Sequence, residues 1–155
     1  MQIIPNFLSA AQLQSVNKIL ELERWGFGYV SNDPHKPIWN FNKEESKKIA
    51  DILMEAIPDY TLDDYHVNGQ SIMQSGAPHT DSSCGCTHAL VFFPYKWDYT
   101  WGGRLHVFTD NGVGIVTPEQ NLAVLFDSSL THYAEAPVVP VLRVSVGLKL
   151  SCKTI

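Results

Sequence analysis

The chain has 155 residues, a length with which a single domain can bury a hydrophobic core. Hydrophobic residues make up 45% of the sequence and charged residues only 17%, which excludes a disordered chain, a coiled coil and a low-complexity polymer. The formal net charge is −5, and no run of basic residues is present. This argues against a nucleic-acid partner, because binding to phosphates requires clustered lysine and arginine.

The cysteines do not form the framework of a small secreted protein. Cys84, Cys86 and Cys152 are few and odd in number, so we expect three reduced thiols. The N-terminal residues lack the basic stretch and apolar segment of a secretory leader. No apolar run approaches the roughly 18 residues of a membrane span, so we expect a cytoplasmic protein without a membrane partner.

Hydrophobic residues recur at helical spacing in two N-terminal segments. The first segment predicts a helix over residues 10–22, with Ser9 as its N-cap. Residues 31–42 are rich in proline and asparagine and are expected to form a loop. A second helix follows, with Asn42 as its N-cap and Pro58 at its end.

From about Tyr60 onward, hydrophobic residues alternate with a period of two between turn signals. This pattern favours an antiparallel sandwich or barrel, and the lack of long helices between the strands argues against a parallel α/β sheet. We therefore expect a mainly β fold with N-terminal helices: one domain over 1–155, with helical support in 1–58 and a barrel in 59–155. The predicted strands cover residues 65–74, 87–93, 104–109, 113–117, 122–126 and 138–150.

Three residues could hold a metal ion. His79 and Asp81 form a His-x-Asp triplet after Gly76 and Pro78, and His132 follows near the end of the strand region. Two imidazoles and one carboxylate on one face of a metal leave neighbouring positions open, as in non-haem Fe(II) oxygenases. Strands that are distant in sequence become neighbours in a barrel, so a distant third ligand is compatible with this site.

Arg143 lies within the apolar run 141–148. A guanidinium is costly to bury unless an anion pairs with it, and a carboxylate held by two parallel hydrogen bonds fits this requirement. Ser145 is on the same face of the strand and could add a third hydrogen bond. Alternatively, Arg143 reaches solvent or pairs with an acidic residue of this chain.

Taken together, several blocks resemble the 2-oxoglutarate/Fe(II)-dependent dioxygenases, in particular the short prolyl-4-hydroxylase-like branch of bacteria and phages. The resemblance covers roughly residues 60–150. The blocks are His79-Thr80-Asp81, Trp101-Gly102-Gly103-Arg104-Leu105, Asn121-Leu122-Ala123-Val124-Leu125-Phe126-Asp127, His132 and Arg143-Val144-Ser145.

The resemblance implies a double-stranded β-helix, or jelly roll, that uses Fe(II), 2-oxoglutarate and O2 to hydroxylate an unactivated C–H bond. It implies no catalytic residue beyond the metal ligands, and a bacterial or phage-infected cell as the setting. The implied iron ligands are His79, Asp81 and His132, and the implied 2-oxoglutarate contacts are Arg143, Ser145, Asn68 and Gln70.

The expected substrate is a prolyl residue in a peptide or protein. Trp97, Tyr99 and Trp101 could grip such a chain, or they could simply pack within their loop. Arg104 stands where relatives often carry an acidic residue, which leaves the rim of the site open to a different substrate. The alternatives are a free amino acid or small metabolite, and a cupin-like metal-binding module without oxygenase activity. A buried carboxylate clamp argues against the last of these.

Three further histidines fall within the predicted strands. We expect structural or surface roles for His66, His88 and His106, although one of them could lie beside the metal.

Overall fold

The structure is a computed structural model that describes residues 1–153. No helix within these residues has both the length and the apolar character needed to cross a bilayer. The helices are α1 (Ala10–Leu20) and α2 (Lys43–Glu55), and a short 3-10 helix covers Tyr99–Trp101. The strands are β1 (Gln2–Ile4), β2 (Trp25–Tyr29), β3 (Ile38–Phe41), β4 (Tyr60–Gln70), β5 (Thr87–Phe93), β6 (Leu105–Thr109), β7 (Gly112–Val116), β8 (Leu122–Asp127), β9 (His132–Ala134) and β10 (Arg143–Cys152).

Both helices begin at the predicted caps. The hydroxyl of Ser9 accepts a hydrogen bond from the backbone N–H of Gln12, whose side chain accepts one from the backbone N–H of Ser9. Asn42 caps α2 by accepting from the backbone N–H of Glu45. These bonds satisfy N–H groups that the first helical turn leaves without a partner.

The strands form two antiparallel sheets, which confirms the mainly β fold class. The large sheet has seven strands in the order β1-β8-β5-β10-β4-β3-β2, and the small sheet has the order β7-β6-β9. One hydrophobic cluster joins the helices to one face of the large sheet through residues such as Leu53, Val146 and Leu148. A second cluster joins its other face to the small sheet through residues such as Phe93 and Val107.

The predicted loop over residues 31–42 is wrong at its end. Ile38–Phe41 is a strand whose Trp39 pairs with Gly69 of β4, and β2 pairs with β3 at the edge of the large sheet. The proline and asparagine content favoured a loop locally, but the open edge of β4 supplies the backbone partners that make this segment a strand.

The remaining strand predictions differ mainly at their ends. Thr87–Phe93 matches its prediction, whereas β10 begins at Arg143 rather than at 138. The strands β1, β2 and β9 were not predicted, because their pairing with β8, β3 and β6 is what defines them; the expected helical support in 1–58 therefore also contains strands of the large sheet.

Candidate metal centre and its cavity

A backbone bridge brings the two candidate histidine ligands together. The backbone N–H groups of His79 and His132 each donate to the other residue's carbonyl, at 3.0 and 2.8 Å. Their ring centroids are 4.4 Å apart. The backbone N–H of Asp81 donates to the carbonyl of Ser128 at 2.9 Å, which holds the carboxylate beside both rings.

The ligand atoms of these three residues converge. Nε2 of His79 lies 3.6 Å from Oδ1 of Asp81, and Nε2 of His132 lies 3.5 Å from Oδ2. One ligand atom from each residue falls within 4.8 Å of the other two. The three residues predicted from sequence therefore form one cluster.

Hydrogen bonds fix both rings in the orientation that a metal requires. Nδ1 of His79 lies 2.9 Å from the carbonyl of Ala77, and Nδ1 of His132 lies 3.0 Å from the carbonyl of Leu130. A carbonyl can only accept, so each Nδ1 carries the proton and each Nε2 presents a lone pair to the cluster.

The surroundings also favour the protonation states of a ligand set. Burial lowers the pKa of His79, which favours the neutral imidazole. Burial works to raise the pKa of Asp81, but its interactions with the neighbouring side chains of His132, Lys149 and His79 lower it overall. A neutral nitrogen donor and an ionised oxygen donor are thus available at neutral pH. Such a facial set of two nitrogens and one oxygen fits a divalent transition metal with open positions.

Arg143 is the most deeply buried cation of the site, with only 1% of its surface exposed. Its Nε donates to the carbonyl of Gly103 at 2.6 Å, and its Nη1 donates to Oε1 of Gln70 at 2.9 Å and to Oγ of Ser145 at 3.2 Å. Its Nη2 is buried and has no partner among residues 1–153.

This environment contradicts the alternative in which Arg143 reaches solvent. None of the ion pairs within residues 1–153 involves Arg143, which also contradicts pairing with an acid of this chain. Burial lowers the pKa of Arg143 to about 10, so the guanidinium is still charged at neutral pH. A charged group with an unused buried donor requires an anion from outside the chain.

The cluster of His79, Asp81 and His132 and the guanidinium of Arg143 line one cavity of about 110 Å³. This volume is several times what a single water molecule needs, about 10–15 Å³. The pairing of β10 with β4 sets Arg143 opposite Gln70 and Ser145 opposite Asn68. Alternate residues of a strand share a face, so these side chains line the same cavity as the histidine ligands. Asn68 accepts a hydrogen bond from Nδ2 of Asn40 at 3.2 Å.

The predicted aromatic residues lie outside the lining of this cavity. Nε1 of Trp97 donates to the carbonyl of Gly102 at 2.9 Å, and its ring packs edge-on against Trp101. Tyr99 is 83% exposed. A Cβ at position 103 would lie only 2.9 Å from the Trp97 ring, so this ring packs directly against Gly103. The loop thus supports the backbone of Gly103, whose carbonyl accepts a hydrogen bond from Arg143.

Arg104 is exposed and does not line the cavity, and it forms an ion pair. Its Nε is 2.8 Å from Oε2 of Glu135, and Oε1 of Glu135 is 2.6 Å from Nε2 of His106. His106 also stacks on Tyr133. Together with the edge-on packing of His88 on Tyr60, these contacts agree with structural roles for both histidines.

Sequence analysis named His66 only as one of three histidines that could lie beside the metal, and it missed Lys149, which lies beside Asp81. His66 lines the cavity opposite Gly147, and a Cβ at position 147 would overlap the His66 ring. Nζ of Lys149 lies 3.8 Å from Oδ1 of Asp81. The sequence did indicate these positions, because residues an even number apart lie on the same face of a strand. His66 is two residues from Asn68, and Lys149 is six residues from Arg143.

The expectation of reduced thiols is wrong for two of the three cysteines. Cys84 and Cys86 form a disulfide in the loop after Asp81, whereas Cys152 is a free, exposed thiol. The two cysteines are only two residues apart, so one short turn brings both sulphurs together. The low and odd number of cysteines did not indicate this local pairing.

The fold is that of the 2-oxoglutarate/Fe(II) oxygenases, as comparison with solved structures shows. A 2-oxoglutarate/Fe(II) oxygenase family oxidoreductase from Burkholderia pseudomallei superimposes with a TM-score of 0.76 at 13% identity, covering 96% of this chain and 84% of that one. A Trichoplax adhaerens prolyl hydroxylase in complex with a hypoxia-inducible factor peptide gives a TM-score of 0.70 at 16% identity, covering 97% and 83%.

HygX from Streptomyces hygroscopicus, bound to nickel, 2-oxoglutarate and hygromycin B, also gives a TM-score of 0.70, at 11% identity, covering 99% of this chain and 83% of that one. At these identities the likeness establishes the double-stranded β-helix. By sequence, neither a protein-family profile nor a curated protein matches the chain.

Proposed function

We propose that this protein is a 2-oxoglutarate- and Fe(II)-dependent dioxygenase that hydroxylates an unactivated C–H bond. The observation that carries the proposal is the buried Nη2 of Arg143, a charged donor without a partner in the cavity that also contains the His79, Asp81 and His132 cluster. A cupin-like module that binds only a metal ion does not require a buried donor of this kind. The fold shared with oxygenases that bind 2-oxoglutarate supports the proposal.

In this proposal each polar residue of the cavity has a defined task. His79 and His132 hold Fe(II) through Nε2, and Asp81 holds it through a carboxylate oxygen. With Fe(II) bound, O2 would be the oxidant: one oxygen atom would enter the C–H bond to give an alcohol, and the other would enter succinate as 2-oxoglutarate is oxidised and loses CO2.

The cosubstrate would be gripped at the inner end of the cavity. Nη2 of Arg143 binds its distal carboxylate, and the Ser145 hydroxyl is close enough to Arg143 to share that anion. Gln70 orients the guanidinium through its 2.9 Å hydrogen bond. Apolar wall residues such as Val91 and Leu105 limit the access of water.

Two substrate classes are supported. A prolyl residue in a peptide is the first, since a prolyl hydroxylase with a bound peptide shares the fold. A small molecule is the second, because the aromatic loop around Tyr99 lies outside a cavity that polar side chains such as His66 line. HygX, with hygromycin B bound, is a neighbour of this second kind.

The proposal is tested by adding Fe(II) and 2-oxoglutarate to the protein without oxygen. We expect the visible charge-transfer band of the metal–2-oxoglutarate chelate in the wild type and in Asp110→Asn, which changes an exposed residue outside the cavity. Asp81→Ala is expected to lack the band. A wild-type protein that folds and shows no band would refute the dioxygenase. Succinate release with a proline-rich peptide, compared with free proline, then separates the substrate classes.

A further inference from the structure

The face of β10 that carries Arg143 also carries a second cation, Lys149, which the proposed cosubstrate cannot contact. Arg143 and Lys149 share this face and are six residues apart, which corresponds to about 20 Å along an extended strand. A five-carbon dicarboxylate is too short to contact both cations. Lys149 lies instead beside the metal cluster, with Nζ 3.8 Å from Oδ1 of Asp81.

The charges of the loaded site leave Lys149 without full compensation. A divalent metal, a dianionic 2-oxoglutarate, the Asp81 carboxylate and the Arg143 guanidinium would balance one another. The ammonium of Lys149 would then remain as one positive charge. Its distance of 3.8 Å from Asp81 exceeds that of a hydrogen bond, so a second anion could approach Nζ.

The other charged groups near Lys149 are already paired. Asp64 lies opposite Lys149 in the β4–β10 ladder, but its carboxylate contacts Nζ of Lys43 at 3.4 Å and accepts from the backbone N–H of Tyr65. Lys43 also donates to the carbonyl of Tyr65 at 2.6 Å. The Asp64 carboxylate therefore competes only weakly with a bound ligand's carboxylate for the ammonium of Lys149.

His66 provides a polar group between the two cations. It faces Gly147, midway between Ser145 and Lys149 on the cavity face of β10. The lack of a side chain at Gly147 makes room for the imidazole, which lines the cavity. Burial lowers the pKa of His66, so the ring is neutral at neutral pH and can donate or accept one hydrogen bond.

The entrance favours a compact ligand. Ser31 and Asn32, in the loop between β2 and β3, line the cavity, and Nδ2 of Asn32 donates to the carbonyl of Ala77 at 3.3 Å. This bond ties the loop to the segment just before His79. An extended peptide would have to displace it, whereas a small molecule would not.

We propose that Lys149 and His66 form a substrate subsite for a small molecule that carries a carboxylate, of the class of free amino acids. Lys149 binds the carboxylate beside Asp81, and His66 forms a hydrogen bond to a polar group inside the cavity. The inference rests on the proposed dioxygenase function, since the charge balance assumes a loaded metal and 2-oxoglutarate.

The test measures binding of free L-amino acids, including proline, and of their primary amides to the full chain with Zn(II) and excess 2-oxoglutarate. Each acid and amide pair differs mainly in the carboxylate charge. The variants are Lys149→Gln, Lys149→Arg and the control Lys18→Gln, which removes a lysine charge from the exposed side of α1. Thermal melts verify that each variant is folded.

We expect at least one acid to bind the wild type and Lys18→Gln about tenfold more tightly than its amide, as for one moderately shielded ion pair. Lys149→Arg keeps this preference, and Lys149→Gln reduces it to less than about twofold. Equal binding of every acid and amide, no detectable binding of any acid, or a preference that survives in Lys149→Gln would overturn the inference.

The anaerobic chelate band, measured on the same protein preparations loaded with Fe(II) instead of Zn(II), separates this inference from the proposed function. A band without an acid preference refutes the subsite and keeps the dioxygenase. An acid preference that depends on Lys149, in a protein without the band, refutes the dioxygenase and keeps the anion subsite.

Discussion

Replacing Arg143 with methionine should leave the ligand-free stability nearly unchanged and strongly weaken the binding of 2-oxoglutarate. The side chain is 1% exposed, its Nη2 has no partner among the described residues, and its charge is not compensated. Replacing a buried ion pair with apolar side chains of similar volume is often neutral or stabilising by about 1–4 kcal/mol, and replacing the unpaired Arg143 charge relieves a desolvation cost of the same kind. The carbonyl of Gly103 and the amide of Gln70 would lose hydrogen bonds, which costs about 1–3 kcal/mol per buried group. We therefore expect the ligand-free variant to be close to the wild type in free energy of unfolding.

The Arg143→Met substitution should change the affinity for 2-oxoglutarate far more than it changes the stability of the ligand-free protein. Removing one partner of a buried charge pair costs about 2–5 kcal/mol, so the Kd for 2-oxoglutarate should rise at least about 30-fold. At a concentration of about 100 times its Kd, 2-oxoglutarate stabilises the wild type by about 2.7 kcal/mol. This should raise the Tm by about 5–11 °C for a chain of this size.

The assay is a thermal melt of the Zn(II)-loaded protein with and without 2-oxoglutarate. Arg143→Met should retain at most about a third of the wild-type shift, since a Kd raised about 30-fold leaves about 0.9 kcal/mol of stabilisation at the same concentration, and Arg143→Lys, which keeps the charge but lacks the fork of donors, should show an intermediate shift. Zn(II) affinity should be unchanged in both variants, because Arg143 is not a metal ligand. A wild-type shift retained in full by Arg143→Met would refute the role assigned to this cavity.

Three further outcomes are expected. Asp81→Asn should weaken Zn(II) binding by more than about a hundredfold in chelator competition, since even outer-shell changes cost about 10–100-fold; a smaller loss would exclude Asp81 as a ligand. Gly147→Ala should destabilise the fold by about 1–3 kcal/mol through overlap with His66, and His66→Ala should relieve most of this loss in the double variant, as followed by Tm. Because burial lowers the pKa of His79 from 6.5, its protonation should displace metal only as the pH falls below 6.5; metal loss centred above that value in a pH titration would contradict the lowered pKa.

The three candidate metal ligands could be predicted because histidine and aspartate are residue types that bind metal ions. His79 and Asp81 form a short motif, and His132 is a third candidate whose proximity the resemblance supplied. The helix caps Ser9 and Asn42 were equally predictable, since capping joins residues three apart in the chain.

Other features required partners that sequence does not show. Ile38–Phe41 has loop-like flanks and becomes a strand because β4 offers an open edge. The strand β9 is three residues long and exists because β6 and His79 pair with it. The disulfide between Cys84 and Cys86 depends on the turn that brings the two sulphurs together.

The sequence by itself determined the mainly β class, the start of both helices and the identity of the candidate ligands, because these depend on periodicity and on local hydrogen bonds. Only the tertiary structure decided that Arg143 keeps a buried donor without a partner among residues 1–153, that His66 lines the cavity and that Lys149 lies beside Asp81. Strand parity gives the face on which a side chain lies. Whether that face meets solvent, core or a cavity is set by the pairing of strands that are distant in sequence and by the packing of the two sheets.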